Sequence, residues 1–191
     1  ISEEQVPVSL ESNVLKRILS KTSFSMASQD VRYYLNGMLL EINGNKINGV
    51  ATDGHRLAYS SAATSNSEAD MRNILPRKAV LELAKLLSAG DDTINLLIGP
   101  SYVVIRTDNL SFSSKLIDGK YPDYDKVFPT GDPLPLEISK EVLQSALSRA
   151  SVLSNEKYRG VRFQLSENKL KLTANNPEQE SAEEELDVVY Q

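Results

Sequence analysis

The chain switches between two hydrophobic periods in a fixed order. After a short apolar strand at Val8, apolar residues recur three and four positions apart at Val14, Leu15, Ile18 and Leu19. This spacing predicts an amphipathic helix, because such positions share one helix face. The next three stretches, "RYYLNGMLLEI", "KINGVAT" and "HRLAYSSAA", alternate apolar and polar residues and predict strands. The first 63 residues therefore predict one β-α-β-β-β unit.

The same order returns twice along the chain. The second copy runs from "NILP" through a helical "RKAVLELAKLLSAGDD", with an apolar stripe that includes Leu81, to three strands, "TINLLIG", "YVVIRTD" and "LSFSSKLI". The third begins at "LPLEIS", where Ser139 is a good N-cap for the helix "KEVLQSALSRASVL", and ends in "ESAEEELDVVY". A unit of roughly 55 to 60 residues cannot bury its helix stripe and its sheet face alone. We therefore expect an α+β fold in which tandem units pair, with two helices packed on antiparallel sheets.

A segment rich in proline and turn residues separates the second unit from the third. The segment, "DGKYPDYDKVFPTGDPLP", holds four of the eight prolines. Its composition is typical of an interdomain connector, so we expect one domain before it and an incomplete one after it. Because the third unit has no partner and the first residue is not Met, we expect the chain to be a fragment of a longer protein.

Composition excludes several classes of site. The 191 residues include no Cys and one His, so we expect no disulfide, no metal cluster and no cofactor. No apolar run is long enough to span a membrane and no targeting signal is present, which makes the cytoplasm the expected location. The net charge of −5 is concentrated near the end of the chain, where residues 174–191 hold six acids and no base. The remainder is nearly neutral, which excludes only a binder that depends on a large basic surface.

The only histidine lies in the stretch "GVATDGHRLAYSS". Asp53 and Gly54 predict a turn and His55 starts the next strand, so the imidazole is expected at the rim of a sheet. Neither a nucleophile elbow nor a phosphate-binding glycine loop accompanies it. The residues alone leave three interpretations open: a plain hairpin, a binding site, or an enzyme that uses His55 with Asp53.

Five stretches carry a resemblance to a known family. They closely resemble the beta subunit of bacterial DNA polymerase III, the replication sliding clamp, and they occur in the right order over essentially the whole chain. The five stretches are "QDVRYYLNGMLLE", "VATDGHRLA", "DGKYPDY", "SNEKYRGVR" and "TANNPEQESAEE". The resemblance implies the DNA-clamp fold, with residues 1–128 as the middle domain and residues 129–191 as the first half of the last domain. It implies no enzymatic activity, and a homodimeric ring that encircles double-stranded DNA.

The resemblance also implies partners and the residues that bind them. The partners are the DNA polymerase III core, the clamp loader, and other polymerases and repair proteins that dock short linear motifs; a standalone peptide-binding module is the alternative. The peptide pocket would comprise Leu35, Thr52, Gly54, His55, Arg56, Leu57, Pro122, Lys126 and Val127. The DNA-facing residues would be Gln29, Tyr33 and Tyr34 after the first helix, and Lys16, Arg17, Lys21, Arg77, Lys78, Lys85, Lys140 and Arg149 on the helices. Val152 and Leu153 would lie at the subunit interface.

The helix cations, the tyrosines and the interface residues each have a simpler interpretation. Any of the lysines could lie on an ordinary solvated helix face. The two tyrosines, or Val152 and Leu153, could be core residues, since alternate residues of a strand point into the core.

Overall fold

The computed structural model describes residues 6–64, 70–87, 89–90, 92–132, 134–157 and 159–190. The chain divides into two compact units between Tyr124 and Asp125. This division lies slightly before the predicted boundary, which followed residue 128.

The first unit contains the predicted β-α-β-β-β order twice, which confirms the repeat. The first copy consists of β1 (Val6–Glu11), α1 (Ser12–Thr22), β2 (Gly37–Asn43), β3 (Lys46–Thr52) and β4 (Leu57–Ala63). The second consists of β5 (Asp70–Pro76), α2 (Arg77–Leu86), β6 (Thr93–Ile98), β7 (Tyr102–Arg106) and β8 (Ser111–Lys115).

The two copies exchange their first strands. One antiparallel sheet has the order β1-β6-β7-β8 and the other has the order β4-β3-β2-β5. In the first sheet Leu10 of β1 pairs with Ile94 of β6, and in the second Leu39 of β2 pairs with Ile74 of β5. Each sheet thus takes its fourth strand from the other copy, so neither copy completes its sheet alone.

Helices α1 and α2 pack against each other and against the sheets to form the main core. Leu15, Ile18 and Leu19 of α1 are buried together with Val80 and Leu83 of α2. Gly49 of β3 lets α1 approach this closely, because a Cβ there would collide with the Ile18 side chain. The predicted stripe of α2 was wrong at Leu81, which is 36% exposed; Ala79 and Leu83 are buried instead.

A second apolar cluster lies on the opposite face of the sheet β4-β3-β2-β5. It contains Leu35, which precedes β2, and Leu39, Val50 and Ile74, whose side chains alternate with those of the main core along β2, β3 and β5. The end of the first unit covers this face, and contributes Tyr121 and Tyr124 to the cluster. This part of the predicted connector is therefore packed on the sheet.

The second unit has one helix and three strands. These are α3 (Lys140–Ser151), β9 (Arg162–Ser166), β10 (Lys169–Asn175) and β11 (Ser181–Asp187), with sheet order β11-β10-β9. The Ser139 Oγ accepts a hydrogen bond from the Val142 N–H at 3.4 Å, which confirms the predicted N-cap. The predicted strand "LPLEIS" was wrong, because it forms only an isolated bridge between Glu137 and Val189. The core is small and is built from Ala146, Leu170, Leu172, Leu186 and Val188.

Two classes of feature are not found in the described ranges. None of their helices is long and apolar enough to cross a lipid bilayer. Nor do the same residues bring three or more His, Asp or Glu side chains together as a metal site.

Candidate functional site

The turn between β3 and β4 is closed by the side chain of Asp53. Its Oδ1 accepts hydrogen bonds from the His55 N–H at 2.9 Å and from the Arg56 N–H at 3.1 Å. Thr52 fastens the base of the turn, since its Oγ1 donates to the Arg56 carbonyl at 2.7 Å and accepts from the Gly54 N–H at 3.1 Å. Gly54 has a φ of 90°, which glycine adopts with least strain. The local sequence Thr-Asp-Gly therefore specifies a rigid turn.

The electrostatics of Asp53 follow from this geometry. Partial burial raises the pKa of Asp53, but the N–H groups of His55 and Arg56 and the Arg56 guanidinium together hold it below its usual value. The carboxylate is thus occupied by backbone amides. No described residue bonds the exposed His55 imidazole, so Asp53 does not orient the ring as a general base requires.

Two arginines hold the turn from either side. Arg56 forms an ion pair with Asp53 at 3.2 Å, donates from Nη2 to the Phe24 carbonyl at 2.7 Å, and lies 5.5 Å from the centroid of the Phe24 ring. Arg32 donates from Nη2 to the Asp53 carbonyl at 3.3 Å and to Asp30 Oδ2 at 2.8 Å. Hydrogen bonds from Arg32 lower the pKa of Asp30 to about 2. The turn is therefore bonded to Phe24 on one side and to the Asp30–Arg32 segment on the other.

Sequence reasoning missed Arg32, Phe24 and Tyr121 at this site. Arg32 reaches the turn because Asp30 accepts its backbone N–H at 2.8 Å and its Nε at 3.0 Å, which folds the side chain back. The Asp-x-Arg spacing could have indicated this local pairing, but it carries no information about residue 53. Tyr121 accepts a hydrogen bond from the Thr52 N–H at 3.1 Å. Tyr121 and Thr52 meet only because the end of the first unit packs on the sheet.

The structure gathers most of the residues predicted for the peptide pocket. Leu35 is 2% exposed and Leu57 is partly buried, and both belong to the apolar cluster that contains Tyr121. The adjoining turn is formed by Thr52, Gly54, His55 and Arg56. The exposed Pro122 follows Tyr121 in the sequence. Lys126 and Val127 fall in the second unit, where Val127 is 62% exposed. The first unit alone thus presents the partly exposed Leu57 beside a polar turn, and Leu57 packs on the cluster that contains the buried Leu35.

The segment of Tyr33 and Tyr34, which was predicted to face DNA and to begin a strand, is not a strand. Tyr33–Leu35 forms a 3-10 turn, and β2 begins only at Gly37. The Asn36 side chain decides this, because its amide donates to the Asp30 carbonyl at 2.8 Å and accepts the Asp30 N–H at 2.9 Å, which closes the loop. Tyr33 is 57% exposed, whereas Tyr34 packs partly against the second cluster. The exposed Gln29 has a left-handed φ of 59°.

The predicted DNA-facing cations differ in how they are bonded. Three are engaged in structural contacts: Lys16 donates to the Leu87 carbonyl at 2.7 Å, Arg77 donates to the Met26 carbonyl at 3.2 Å, and Arg149 pairs with Glu184 at 2.7 Å. Lys85 has a longer contact with Glu82 at 3.4 Å. The other four cations are exposed and have no ion pair with any described residue; these are Arg17, Lys21, Lys78 and Lys140.

The two residues predicted for a subunit interface lie at the end of α3. Val152 is the C-cap residue and is 78% exposed, and Leu153 is half-buried. They line a groove of about 620 Å³ with Asn155, Asn176 and Glu180. Val152 is therefore not a core residue of this unit.

Comparison with known proteins accounts for both units. A family model of the DNA polymerase III beta subunit, central domain, matches residues 9–123, and the model of its C-terminal domain matches residues 125–191. This chain belongs to the DNA polymerase III beta-subunit family. The beta sliding clamp of Pseudomonas aeruginosa is 49% identical over 183 residues, which are 95% of this chain and 50% of that protein. The clamp of Vibrio cholerae is 50% identical over 189 residues, which are 99% of this chain and 52% of that protein.

Solved structures of the family share the fold. The DNA polymerase III subunit beta of Pseudomonas aeruginosa superimposes on this chain with a TM-score of 0.95 at 48% identity. The match covers 100% of this chain and 52% of the Pseudomonas aeruginosa chain. A sliding clamp from the same organism, bound to griselimycin, gives a TM-score of 0.92 with the same identity and coverage. The chain thus has the DNA-clamp fold and spans about half the length of the curated relatives it matches.

Proposed function

We propose that this chain acts as part of a DNA sliding clamp, a DNA polymerase processivity factor. In this proposal the protein that contains the chain forms a homodimeric ring in the cytoplasm, encircles duplex DNA and tethers polymerases and repair proteins. The observation that carries the proposal is the match to both clamp domain models in adjacent order, with relatives 49% and 50% identical across nearly the whole chain.

The turn at His55 supports a role in docking a linear peptide. Its polar groups are held by hydrogen bonds, and the partly exposed Leu57 supplies adjoining apolar surface that packs on the cluster containing the buried Leu35. A few fixed polar groups beside an apolar surface suit a short motif that carries Leu or Phe side chains. His55 then acts by contact with the peptide, and the site performs no chemistry.

The exposed helix cations support a loose contact with the phosphate backbone. Arg17, Lys21 and Lys78 are the strongest candidates of the first unit, because Lys16 and Arg77 donate to backbone carbonyls. Contacts made to phosphates alone carry no sequence information, and they allow a protein to slide. The partners in this proposal are double-stranded DNA, the DNA polymerase III core and the clamp loader.

A peptide titration tests the docking site. A labelled peptide with the Leu- and Phe-containing motif of bacterial replicative or translesion polymerases should bind the chain with a Kd on the order of tens of micromolar. His55→Ala should weaken binding severalfold, whereas Arg106→Ala, an exposed change on the other sheet, should not. Equal binding by both variants, or shifts confined to the helices in an NMR titration, would contradict the assignment.

Retention on DNA tests the ring. The protein that contains this sequence should be loaded by the matching clamp loader onto nicked circular and linear DNA and then gel-filtered in high salt. A clamp stays on the circle and slides off the linear form. Equal loss from both would argue against encirclement.

A further inference from the structure

The end of the first unit is held against the sheet by two buried tyrosines. Tyr121 is 5% exposed and Tyr124 is 4% exposed, and both pack in the cluster that contains Leu39 and Val50. Pro122, which lies between them in the sequence, is exposed. The predicted pocket residue is thus carried on a segment that is anchored close to it on both sides.

Tyr121 connects this segment directly to the turn. Its Oη accepts a hydrogen bond from the Thr52 N–H at 3.1 Å. Thr52 is the last residue of β3, and its own hydroxyl holds both Gly54 and Arg56. One hydrogen bond therefore joins the segment of Pro122 to the residue that organises the turn of His55.

Tyr124 is anchored by a buried polar network. Its Oη donates to Glu41 Oε2 at 2.5 Å, and the same carboxylate oxygen accepts from Asn48 Nδ2 at 3.2 Å. Arg72 pairs with Glu41 Oε1 at 2.8 Å and lies 5.8 Å from the centroid of the Tyr124 ring. Because Glu41 is only 7% exposed, its charge is stabilised by these partners, and a shift of Tyr124 would remove one of them.

We propose that Tyr121 and Tyr124 are positioning residues of the peptide site, and that they hold Pro122 in register with the Thr52–Leu57 turn before any peptide binds. The inference rests on the proposed docking function. Its physical basis is preorganisation: a wall that is already ordered does not lose conformational freedom on binding, so more of the contact energy appears as affinity. Neither tyrosine needs to touch the peptide.

The decisive variant is Tyr121→Phe, which removes one hydroxyl and keeps the ring. We expect peptide affinity to fall about fivefold, since a single hydrogen bond is lost. The Thr52 amide should also exchange faster with solvent, and the backbone amides of residues 53–56 should shift in NMR spectra without peptide. Tyr102→Phe, on β7 of the other sheet, is the matched control and should change neither quantity.

A double-mutant cycle separates positioning from a merely structural role. If Tyr121 acts through the turn, Tyr121→Phe should cost less affinity in the His55→Ala background than in the unchanged protein. Tyr124→Phe should weaken peptide binding in the same direction through the loss of its bond to Glu41. Equal costs in both backgrounds, or unchanged affinity with a lower unfolding temperature, would overturn the positioning role.

The outcomes also separate this inference from the docking proposal. If the unchanged protein does not bind the peptide, the docking function fails and the inference fails with it. If it binds, and His55→Ala weakens binding while Tyr121→Phe does not, the docking function stands and only the positioning role is overturned.

Discussion

At the scale of single residues, the candidate site depends on a few short-range contacts. Asp53 caps its own turn, Thr52 closes the base, and Arg32 and Arg56 hold the outside. The turn was predictable because an Asp-Gly pair specifies it locally. The bonds from Arg56 to the Phe24 carbonyl and from Arg32 to the Asp53 carbonyl were not, because these partners meet only after the strands have paired.

Gly54→Ala tests the rigidity of the turn. With a φ of 90°, a Cβ would be strained, and it would also meet the Arg32 guanidinium nitrogens at 3.1 Å. We expect about a tenfold loss of peptide affinity, equivalent to about 1.4 kcal/mol. Gly160→Ala is the control, because its Cβ would meet nothing within 4 Å and its φ is not positive. Equal affinities in a fluorescence anisotropy titration of both variants would show that the turn tolerates the change.

Alkaline pH tests the burial of Tyr121. Burial raises the pKa of Tyr121 to about 12, although the Thr52 N–H partly opposes this. The folded state therefore resists ionisation, so this contribution to stability is complete below about pH 10, the unfolded pKa, and is lost as pH rises towards 12. Between pH 9 and pH 11, urea unfolding should show about 1 kcal/mol more destabilisation for the unchanged protein than for Tyr121→Phe. An identical pH dependence would mean that Tyr121 is accessible to solvent.

At the scale of elements, the two helices of the first unit fasten each other's ends. Lys16 of α1 donates to the carbonyl of Leu87, the C-cap of α2, and Arg77 at the start of α2 donates to the carbonyl of Met26 beyond α1. Cations at a helix C-terminus satisfy carbonyls that lack a partner within the helix. Their positive charge suggested DNA contacts from sequence, and in the structure each of them also joins the two helices.

Adjacent cations on α1 should therefore separate stability from DNA binding. Lys16→Met should lower the free energy of unfolding by about 1 kcal/mol and leave the weak, low-salt binding to duplex DNA nearly unchanged. Arg17→Met should leave the free energy of unfolding nearly unchanged. It should weaken DNA binding and reduce the dependence of binding on salt, because Arg17 is exposed. Urea unfolding and anisotropy with labelled duplex measure the two effects. A larger loss of DNA binding for Lys16→Met would contradict the assignment.

At the scale of the whole molecule, the chain consists of two units with separate cores. The first unit has two exchanged repeats and two apolar clusters, whereas the second has one helix on three strands. In the second unit β9 is exposed along its whole length and lies at the edge of its sheet. The smaller unit therefore has less buried apolar surface to stabilise it.

Core truncations should act on one unit at a time. Leu40→Ala removes a fully buried side chain from the first unit, and Leu172→Ala does so in the second. Each should cost about 2–5 kcal/mol in its own unit. Hydrogen exchange should show faster exchange of β2 amides in the first variant and of β10 amides in the second. A change spread equally over both units would show that they unfold as one.

Local patterns determined the repeat, the helices and the turns of this protein. Apolar spacing specifies which face of α1 is buried, Ser139 specifies where α3 begins, and Asp53 with Gly54 specifies the turn, because each signal acts within a few residues. Four other features depended on the tertiary structure. They are the strand exchange between the copies, the 3-10 turn at Tyr33, the bond from Lys16 to the Leu87 carbonyl, and the bond from Thr52 to Tyr121. These features join residues far apart in the chain, or depend on which of several polar partners is closest, and only the packed sheets and helices bring such partners within hydrogen-bonding distance.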